Sequence, residues 1–503
     1  MPHSYIKHIL EANLYDVAME TPLQEARFLS RRLDNRVLIK REDLQPVFSF
    51  KLRGAYNKMR QLSQVELDRG VVAASAGNHA QGVALSAQRL GCKAVIVMPR
   101  TTPQIKVDAV RAWGAKVVLH GDTYDEASLH AKQLVEEQQM TYVHPYDDPQ
   151  VIAGQGTIAM EILRQHAGKI DAIFVPVGGG GLAAGVAAYV KYVRPEVKVI
   201  AVEPEDAACL KAALDADRRV TLPEVGIFAD GVAVAQIGKE TFRVLRETID
   251  GVVTATTDEI CAAIKDIFED NRSTAEPAGA LAMAGLKKYV AEHGISGQTL
   301  VAIESGANIN FDRLRYISER TEFGEKREAI FSVQIPERPG SFRKFCALLG
   351  KRNITEFNYR YASAESARIF VGMQVQGEAD RKEILEKLLG RGYPVEDMTE
   401  NEMAKLHVRH MVGGHAPGID NEQVFSFEFP ERPGALMNFL NKLGEEWNIS
   451  MFHYRNHGSA FGRVVVGLQV EKEQRKKLLA VLKSLNYRFI EESDNPAYRH
   501  FLG

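Results

Sequence analysis

The strongest constraint on the fold is an internal repeat in the last third of the chain. The matching segments are FSVQIPERPG (331–340) and FSFEFPERPG (425–434), then NITEFNYR (353–360) and NISMFHYR (448–455). Each copy reads as a strand, a tight Pro-Gly turn, a helix, two strands, a helix and a last strand. This order predicts two βαββαβ modules, at 329–400 and 423–494, each with a sheet covered by helices on one side.

The part of the chain before the repeat has a different pattern, in which short apolar runs alternate with amphipathic stretches. The predicted strands are Val71–Ser75, Lys93–Pro99, Lys116–His120, Ala172–Val177, Val197–Glu203, Gly251–Thr256 and Gln298–Ser305. Several are rich in valine and isoleucine and lack polar alternation, which is typical of strands buried on both faces. Helices are predicted between them, for example at His79–Leu90 and Val151–His166. The alternation predicts an α/β fold with mainly parallel sheets.

Domain boundaries follow from these two patterns. We predict an α/β domain at 1–311, followed by a connector or neck helix at 312–328, in which ten of the 17 residues are charged. A linker at 401–422 separates the two repeated modules. A chain of 503 residues is long enough for three or four domains of ordinary size.

Composition excludes several classes of protein. The charge sum is 63 minus 65, or −2, so the chain has no overall basic field that would attract nucleic acid or anionic lipid. The four cysteines are Cys92, Cys209, Cys261 and Cys346, and no CxxC occurs, which argues against zinc motifs, redox motifs and a disulfide scaffold. The N-terminus lacks the apolar core of a signal peptide. We therefore expect a cytoplasmic protein without a membrane span.

The first candidate catalytic residue is a lysine that stands between two apolar residues. Lys51 lies in VFSFKLRGA, ahead of a predicted helix. Most lysines at such a position extend their stem along the surface and keep the charge in water. Because Phe50 and Leu52 flank it, burial could instead lower the pKa of the amine and make it a Schiff-base nucleophile.

Four successive glycines, 178–181 in VPVGGGGLAAG, form the second candidate site between a buried strand and a helix. Backbone N–H groups of such a loop, together with the helix N-terminus, bind anions, and a phosphate is the expected one. A P-loop is excluded because Leu182 and Ala183 replace the required Lys-Ser/Thr. A dinucleotide site stays open, because Gly179, Gly181 and Ala184 fit GxGxxG/A and Glu203 ends the next strand.

Two more motifs follow predicted strands. SAGNHAQG, Ser75–Gly82, offers hydroxyl and amide donors that could bind a carboxylate, although Asn78 could equally be only a helix cap. ESGAN, Glu304–Asn308, also lies at the carboxyl end of a strand, where open α/β sheets bind ligands. Ser305 could be an ordinary turn residue.

Together, SFKLRGA, SAGNHAQG, GGGGL and SGAN resemble, in this order and spacing, the fold type II pyridoxal-phosphate enzymes. The match is to the threonine dehydratase family, and the repeat is similar to the paired ACT-like regulatory domains of its biosynthetic, isoleucine-inhibited form. The resemblance covers nearly the whole chain. It implies a two-lobed catalytic core, the cofactor pyridoxal 5′-phosphate, and conversion of L-threonine to 2-oxobutanoate and ammonia by β-elimination.

The resemblance also implies roles for individual residues. Lys51 is the catalytic residue and holds the cofactor covalently, Asn78 bonds its ring hydroxyl, and Ser305 faces its pyridine nitrogen. The implied phosphate-binding residues are Gly178, Gly179, Gly180, Gly181 and Leu182. The implied substrate-binding residues are Ser75, Ala76, Gly77, Asn78 and His79. No metal site is assigned: Cys209 stands where some relatives with this fold place an acidic ligand, which argues against a divalent ion, and a monovalent cation stays open.

Regulation and assembly are further implications of the resemblance. The turns Arg338–Gly340 and Arg432–Gly434 border the amino-acid site of ACT-like modules, with isoleucine as inhibitor at the first module and valine opposing it. The family is usually tetrameric. Two other functions stay open: another lyase or synthase of the same cofactor class, such as a serine dehydratase or threonine synthase, and a non-enzymatic amino-acid sensor.

Overall fold

A computed structural model describes two compact units, Met1–Thr321 and Glu322–Gly503. The described residues are 3–121, 123–311, 313–350, 352–361, 365–401, 404–405, 408–410, 416, 418–419, 421–430, 435–455, 461–485, 487–495 and 498. Within them, every helix is too short or too polar to cross a lipid bilayer.

The first unit contains two sheets. Its strands are β1 (Leu23–Glu25), β2 (Arg36–Arg41), β3 (Val71–Ala74), β4 (Ala94–Met98), β5 (Lys116–Leu119), β6 (Thr141–Tyr142), β7 (Ala172–Pro176), β8 (Lys198–Pro204), β9 (Gly251–Ala255) and β10 (Thr299–Glu304). The larger sheet has the order β1-β2-β10-β7-β8-β9 and the smaller one β5-β4-β3-β6. All pairs are parallel except β1 with β2. The predicted α/β fold with mainly parallel sheets is confirmed, and each predicted strand matches within one residue at either end.

Helices cover both faces of the larger sheet. The helices of the unit are α1 (His3–Leu10), α2 (Arg27–Leu33), α3 (Lys51–Arg60), α4 (Gln64–Arg69), α5 (Asn78–Leu90), α6 (Gln104–Ala112), α7 (Tyr124–Gln138), α8 (Pro149–Gln165), α9 (Gly181–Val193), α10 (Cys209–Asp215), α11 (Lys239–Thr248), α12 (Thr257–Asn271), α13 (Pro277–His293) and α14 (Arg313–Gly324). Along β7, Ile173 and Val175 pack into the core formed with α8 and α9. Phe174 faces the opposite way, into the core formed with α12 and α13. This alternation explains why the strand is apolar at every position.

The second unit confirms the predicted βαββαβ order twice. Its elements are β11 (Glu328–Pro336), α15 (Ser341–Leu349), β12 (Ile354–Arg360), β13 (Ser366–Gln374), α16 (Glu378–Gly390), β14 (Val395–Asp397), β15 (Glu422–Pro430), α17 (Ala435–Leu443), β16 (Asn448–Arg455), β17 (Phe461–Gln469), α18 (Arg475–Ser484) and β18 (Arg488–Glu491). The predicted linker at 401–422 lies largely outside the described residues. The predicted neck helix corresponds to α14, which ends at Gly324, four residues before β11 begins.

The two repeated modules share one sheet and one core. Strands β12 and β16 pair in antiparallel fashion, with Asn358 opposite His453, and join the modules into an eight-stranded sheet. In the shared core, the ring centroids of Phe342 and Phe452 lie 5.2 Å apart. Because the modules shield each other's edge strands in this way, the eight-stranded sheet buries two edges that separate modules would expose.

A buried ionic network fixes the start of α3 in the first unit. The Arg53 guanidinium donates to the Glu42 carboxylate at 2.7 and 2.8 Å and to the Glu161 carboxylate at 2.6 and 2.9 Å, and all three side chains are fully buried. Lys40 adds a second cation, 2.6 Å from Glu161. Since Arg53 is two residues from Lys51, the network holds the helix that carries that lysine.

Arg53→Met should lower the free energy of unfolding of the protein by about 3–5 kcal/mol, because the change leaves Glu42 and Glu161 buried with less compensating charge. Thermal unfolding followed by circular dichroism measures the effect. Arg60→Met is the matched control, since Arg60 is exposed at the other end of the same helix. Equal unfolding midpoints for the two variants would contradict a structural role for the network.

Candidate active site

Lys51 is the first residue of α3 and lies in a partly enclosed position. Its Nζ donates to the carbonyl oxygen of Pro145 at 2.9 Å and lies 5.3 Å from the centroid of the Phe50 ring. Burial lowers the pKa of this amine to about 8, while the negative charge of Glu276 acts in the opposite direction. A larger fraction of this amine is therefore neutral near neutral pH than of an exposed lysine, as a nucleophile or proton acceptor requires.

The glycine loop joins β7 to α9 at the carboxyl end of the sheet. Gly180 has a φ of +91°, a conformation that glycine adopts without strain. A side chain on Gly179 would overlap the ring of Tyr146, and one on Gly178 would come within 2.8 Å of the Cα atom of Val232. The first N–H groups of a helix such as α9 have no acceptor within the helix, so the loop can bind an anion.

The SAGNHAQG motif forms the turn between β3 and α5 and the start of that helix. The N–H of Gly77 donates to Ser75 Oγ at 3.3 Å, and Gly77 rather than Asn78 is the residue that caps α5. The helix-cap alternative for Asn78 is therefore wrong. The Asn78 amide instead donates from Nδ2 to Glu276 Oε1 at 2.5 Å and accepts at Oδ1 from Asn308 Nδ2 at 2.7 Å.

His79 lies in the predicted substrate loop, but its side chain is directed into the protein. It is 3% exposed, and Nε2 lies 2.8 Å from the carbonyl oxygen of Val143. Burial, followed by the charge of Lys51, lowers the pKa of His79 to about 3. The imidazole is therefore neutral at physiological pH, and a contribution of His79 to ligand binding would come from its backbone N–H.

Ser305 is buried at the carboxyl end of β10. Its Oγ donates to the carbonyl oxygen of Ala278 at 3.2 Å, and its own carbonyl oxygen accepts from the N–H of Phe50 at 3.2 Å. The second bond joins the end of β10 to the residue before Lys51. Ser305 thus has a defined place next to the lysine rather than in an exposed turn.

Two further segments, residues 144–148 and α11, connect the predicted motifs to one another. The sequence analysis did not identify them. Pro145 accepts from Lys51, and the next residue, Tyr146, packs on the glycine loop. Asp147 then accepts hydrogen bonds from the first N–H groups of α11, whose Thr241 Oγ1 donates to the carbonyl oxygen of Gly179 at 2.8 Å. The segment His-Pro-Tyr-Asp-Asp resembles an ordinary loop with a helix cap, so only the tertiary contacts disclose its position.

Glu203, the acid on which the dinucleotide alternative depends, has a structural role. Its carboxylate accepts from the N–H groups of Leu210 and Lys211, both at 2.8 Å, and so caps the start of α10. It is not free to bind a ribose. Among the described residues, no three histidine, cysteine, aspartate or glutamate side chains are grouped closely enough to hold a metal ion.

Comparison with known proteins agrees with this geometry. Residues 15–306 match the family described as pyridoxal-phosphate dependent enzyme, and 319–408 and 413–502 each match the C-terminal regulatory domain of threonine dehydratase. The chain is 59% identical, over 99% of both proteins, to a biosynthetic L-threonine dehydratase of Burkholderia multivorans. This chain belongs to the threonine dehydratase family. A biosynthetic L-threonine dehydratase of Escherichia coli is 56% identical over 99% of this chain and 97% of its own.

Solved structures of related proteins cover the catalytic part of this family member. The processed form of threonine deaminase isoform 2 from Solanum lycopersicum is 54% identical, with a TM-score of 0.62 over 63% of this chain and 93% of its own. Serine racemase from Dictyostelium discoideum is 32% identical, with a TM-score of 0.57 over 61% of this chain and 99% of its own. The fold is therefore shared by a threonine deaminase and a serine racemase.

The residues at this site fit the family's cofactor, pyridoxal phosphate. The glycine loop has no room for a Cβ atom at any of its four positions, and it offers backbone N–H groups to a phosphate. Lys51 supplies an amine with a lowered pKa, and Asn78 supplies an amide donor. Ser305 is neutral and buried, so it presents no carboxylate to a pyridine nitrogen.

Proposed function

We propose that this chain is a biosynthetic threonine ammonia-lyase that converts L-threonine to 2-oxobutanoate and ammonia as the first step of isoleucine synthesis. One observation carries the proposal. The Lys51 amine, desolvated and 2.9 Å from Pro145 O, is joined through Tyr146 to a glycine loop suited to phosphate, in a chain closely similar to named threonine dehydratases.

Each side chain has a defined task in this reaction. Pyridoxal phosphate, when bound, withdraws electrons from the α-carbon of the amino acid and so makes the α-proton acidic. The turn Ser75–Asn78 offers the Ser75 hydroxyl and backbone N–H groups to the substrate carboxylate. Lys51 Nζ takes the α-proton, and the β-hydroxyl takes up a proton from solvent and leaves as water. The aminocrotonate so formed is hydrolysed to 2-oxobutanoate and ammonia. Neutral Ser305 keeps the electron withdrawal moderate, which favours elimination over transamination.

The test of this activity is the initial rate of 2-oxo acid formation by the purified, cofactor-loaded protein. We expect threonine to yield 2-oxobutanoate. Faster formation of pyruvate from serine would identify a serine dehydratase instead, and visible cofactor absorbance without either product would indicate another substrate of the same fold.

We propose further that isoleucine inhibits the enzyme from a pocket in the second unit, with valine opposing it. The first-module turn at Arg338 and Gly340 forms part of the wall of this pocket. Glu337 presents a carboxylate that already accepts from the hydroxyl of Tyr359 and, at 2.8 Å, from Asn448 Nδ2. An amino acid could place its ammonium group on this carboxylate.

The pocket also has an apolar part, to which both modules contribute. Leu440 and Trp447 line it together with Phe342 of the first module. Trp447 is 3% exposed, and its Nε1 has no hydrogen-bond partner among the described residues. A buried unsatisfied donor favours a ligand that brings an acceptor, such as the carboxylate of an amino acid. The corresponding second-module turn, Arg432–Gly434, lies outside the described residues.

Asn448→Ala should weaken inhibition by isoleucine about tenfold, because the change removes one of the donors that orient Glu337. The matched control is Asn353→Ala, which alters the equivalent asparagine of the first module, exposed and away from the pocket. Isothermal titration of the full-length protein with isoleucine, together with inhibition assays, measures both variants. Unchanged inhibition in Asn448→Ala would move the effector site elsewhere.

The proposal also covers the oligomeric state of the protein, its cellular compartment and the limits of its domains. We propose a homotetramer, as is usual in the family. We place the enzyme in the cytoplasm, in keeping with four cysteines that are all free thiols. The limits 1–311, 329–400 and 423–494 for the catalytic and regulatory domains remain predictions.

A further inference from the structure

Glu276 is a buried carboxyl group that the mechanism above does not use. It stands immediately before Pro277, at the N-terminus of α13, and is 4% exposed. A carboxylate in this position usually accepts from the first N–H groups of its helix. Glu276 makes no such bond to α13, all of whose residues are described, and its Oε1 lies 2.5 Å from Asn78 Nδ2 instead.

The orientation of the Asn78 amide follows from its neighbours. Asn308 Nδ2 lies 2.8 Å from the carbonyl oxygen of Val47, which can only accept, so this atom of Asn308 is the amide nitrogen. The same nitrogen donates to Asn78 at 2.7 Å, so the Asn78 atom facing it is the oxygen. Asn78 Nδ2 therefore faces Glu276 and gives it one hydrogen. The second hydrogen of that amide remains for a ligand.

The charge of Glu276 depends first on its burial and then on its neighbours. Burial and, after it, the negative charge of Asp230 raise the pKa of its carboxyl, whereas the hydrogen bond from Asn78, the charge of Lys106 and a backbone hydrogen bond from Asn308 lower it, and the resulting pKa is about 7. Lys51 is the other charged group that it influences. Lys106 and Asp230 are themselves paired at 2.6 Å. Glu276 consequently changes from neutral to negative as the pH rises through about 7.

We propose that Glu276 is a positioning residue that fixes the amide of Asn78 and places an ionisable carboxyl behind the donor that bonds the cofactor's ring oxygen. The proposal rests on the proposed function, because the bond from Asn78 to that oxygen is implied by the family resemblance. When ionised, Glu276 accepts a charge-assisted hydrogen bond and holds the amide firmly. When protonated, it holds the amide less firmly, so the hydrogen bond from Asn78 to the cofactor's ring oxygen changes with pH.

The experiment measures two properties of the cofactor-loaded, full-length protein: the dissociation constant of pyridoxal phosphate and the pH dependence of its visible absorbance. Wild-type protein should show an absorbance step with a midpoint at about pH 7. Glu276→Gln keeps an acceptor for Asn78, so its dissociation constant should stay within about threefold of wild type while the step disappears. Glu276→Ala should lose the step and weaken cofactor binding at least about tenfold.

Glu203→Gln is the matched control, since burial also raises the pKa of Glu203 to about 7 but its carboxylate caps α10 and does not contact Asn78. It should keep the absorbance step. If Glu276→Ala does not fold, Asn308→Ala tests the same amide by removing the donor to Asn78 Oδ1, and cofactor binding should again weaken. Wild-type values in these Glu276 and Asn308 variants would overturn the proposal, whereas wild-type protein without any visible cofactor absorbance would overturn the proposed function.

Discussion

Lys51→Ala is expected to abolish both turnover of threonine and the visible absorbance of bound cofactor. The amine of Lys51 is the group at this site that can bond covalently to a carbonyl and then accept a proton, and its pKa is lowered to about 8. Loss of a residue with both functions should reduce kcat by at least about a thousandfold. Absorbance spectra and initial rates of 2-oxo acid formation, measured on the same preparation, test this.

The control for Lys51→Ala is Lys58→Ala. Lys58 lies on the same helix, two turns later, and forms an ion pair with Asp148 at 2.9 Å rather than facing the site. This variant should keep the absorbance and most of the activity. If Lys51→Ala retained both the absorbance and the turnover, the assignment of the catalytic lysine would be wrong.

Gly179→Ala should weaken binding of pyridoxal phosphate by roughly one to two orders of magnitude. The new Cβ atom would overlap the base of the Tyr146 ring, which cannot swing away as the end of a flexible side chain could. Overpacking of this kind costs about 1–3 kcal/mol and shifts the backbone, here the N–H groups offered to the phosphate. Fluorescence or absorbance titration of the apoprotein with the cofactor measures the change.

A double-mutant cycle separates this steric effect from general damage to the loop. Adding Tyr146→Ala to Gly179→Ala removes the overlap and should recover part of the lost affinity, since the two changes act on one contact. Gly390→Ala is the control for glycine replacement as such, because its Cβ atom would meet nothing within 4 Å. Additive losses in the cycle would show that the ring of Tyr146 is not what limits the loop.

Local patterns determined most of the catalytic fold. Strands such as Ala172–Pro176 were predictable because both faces are buried, which makes the segment apolar throughout. The glycine loop was predictable because Gly180 needs a positive φ and its neighbours leave no space for side chains. Helix α5 ends at Leu90, and the next residue, Gly91, has a φ of +68° and was predicted as the stop signal.

The partners of these motifs were not predictable from the sequence. Glu276 precedes Pro277 at the start of a helix, where an acidic residue is ordinary, so no local signal separates it from a helix cap. Tyr146 lies in a loop whose only visible feature is a set of polar residues. Their roles arise from contacts with Asn78 and Gly179, which are distant in sequence.

The sequence by itself determined the order of elements, the repeat, the four motifs and the family, because each depends on residues that are close together in the chain. Tertiary structure alone decided that β12 pairs with β16, that a pocket opens beside Trp447, and that Glu276 holds Asn78. The physical reason is the same in each case. Strand-edge pairing, cavity shape and the orientation of an amide depend on contacts between groups that are far apart in the chain. Local sequence patterns carry no information about such contacts.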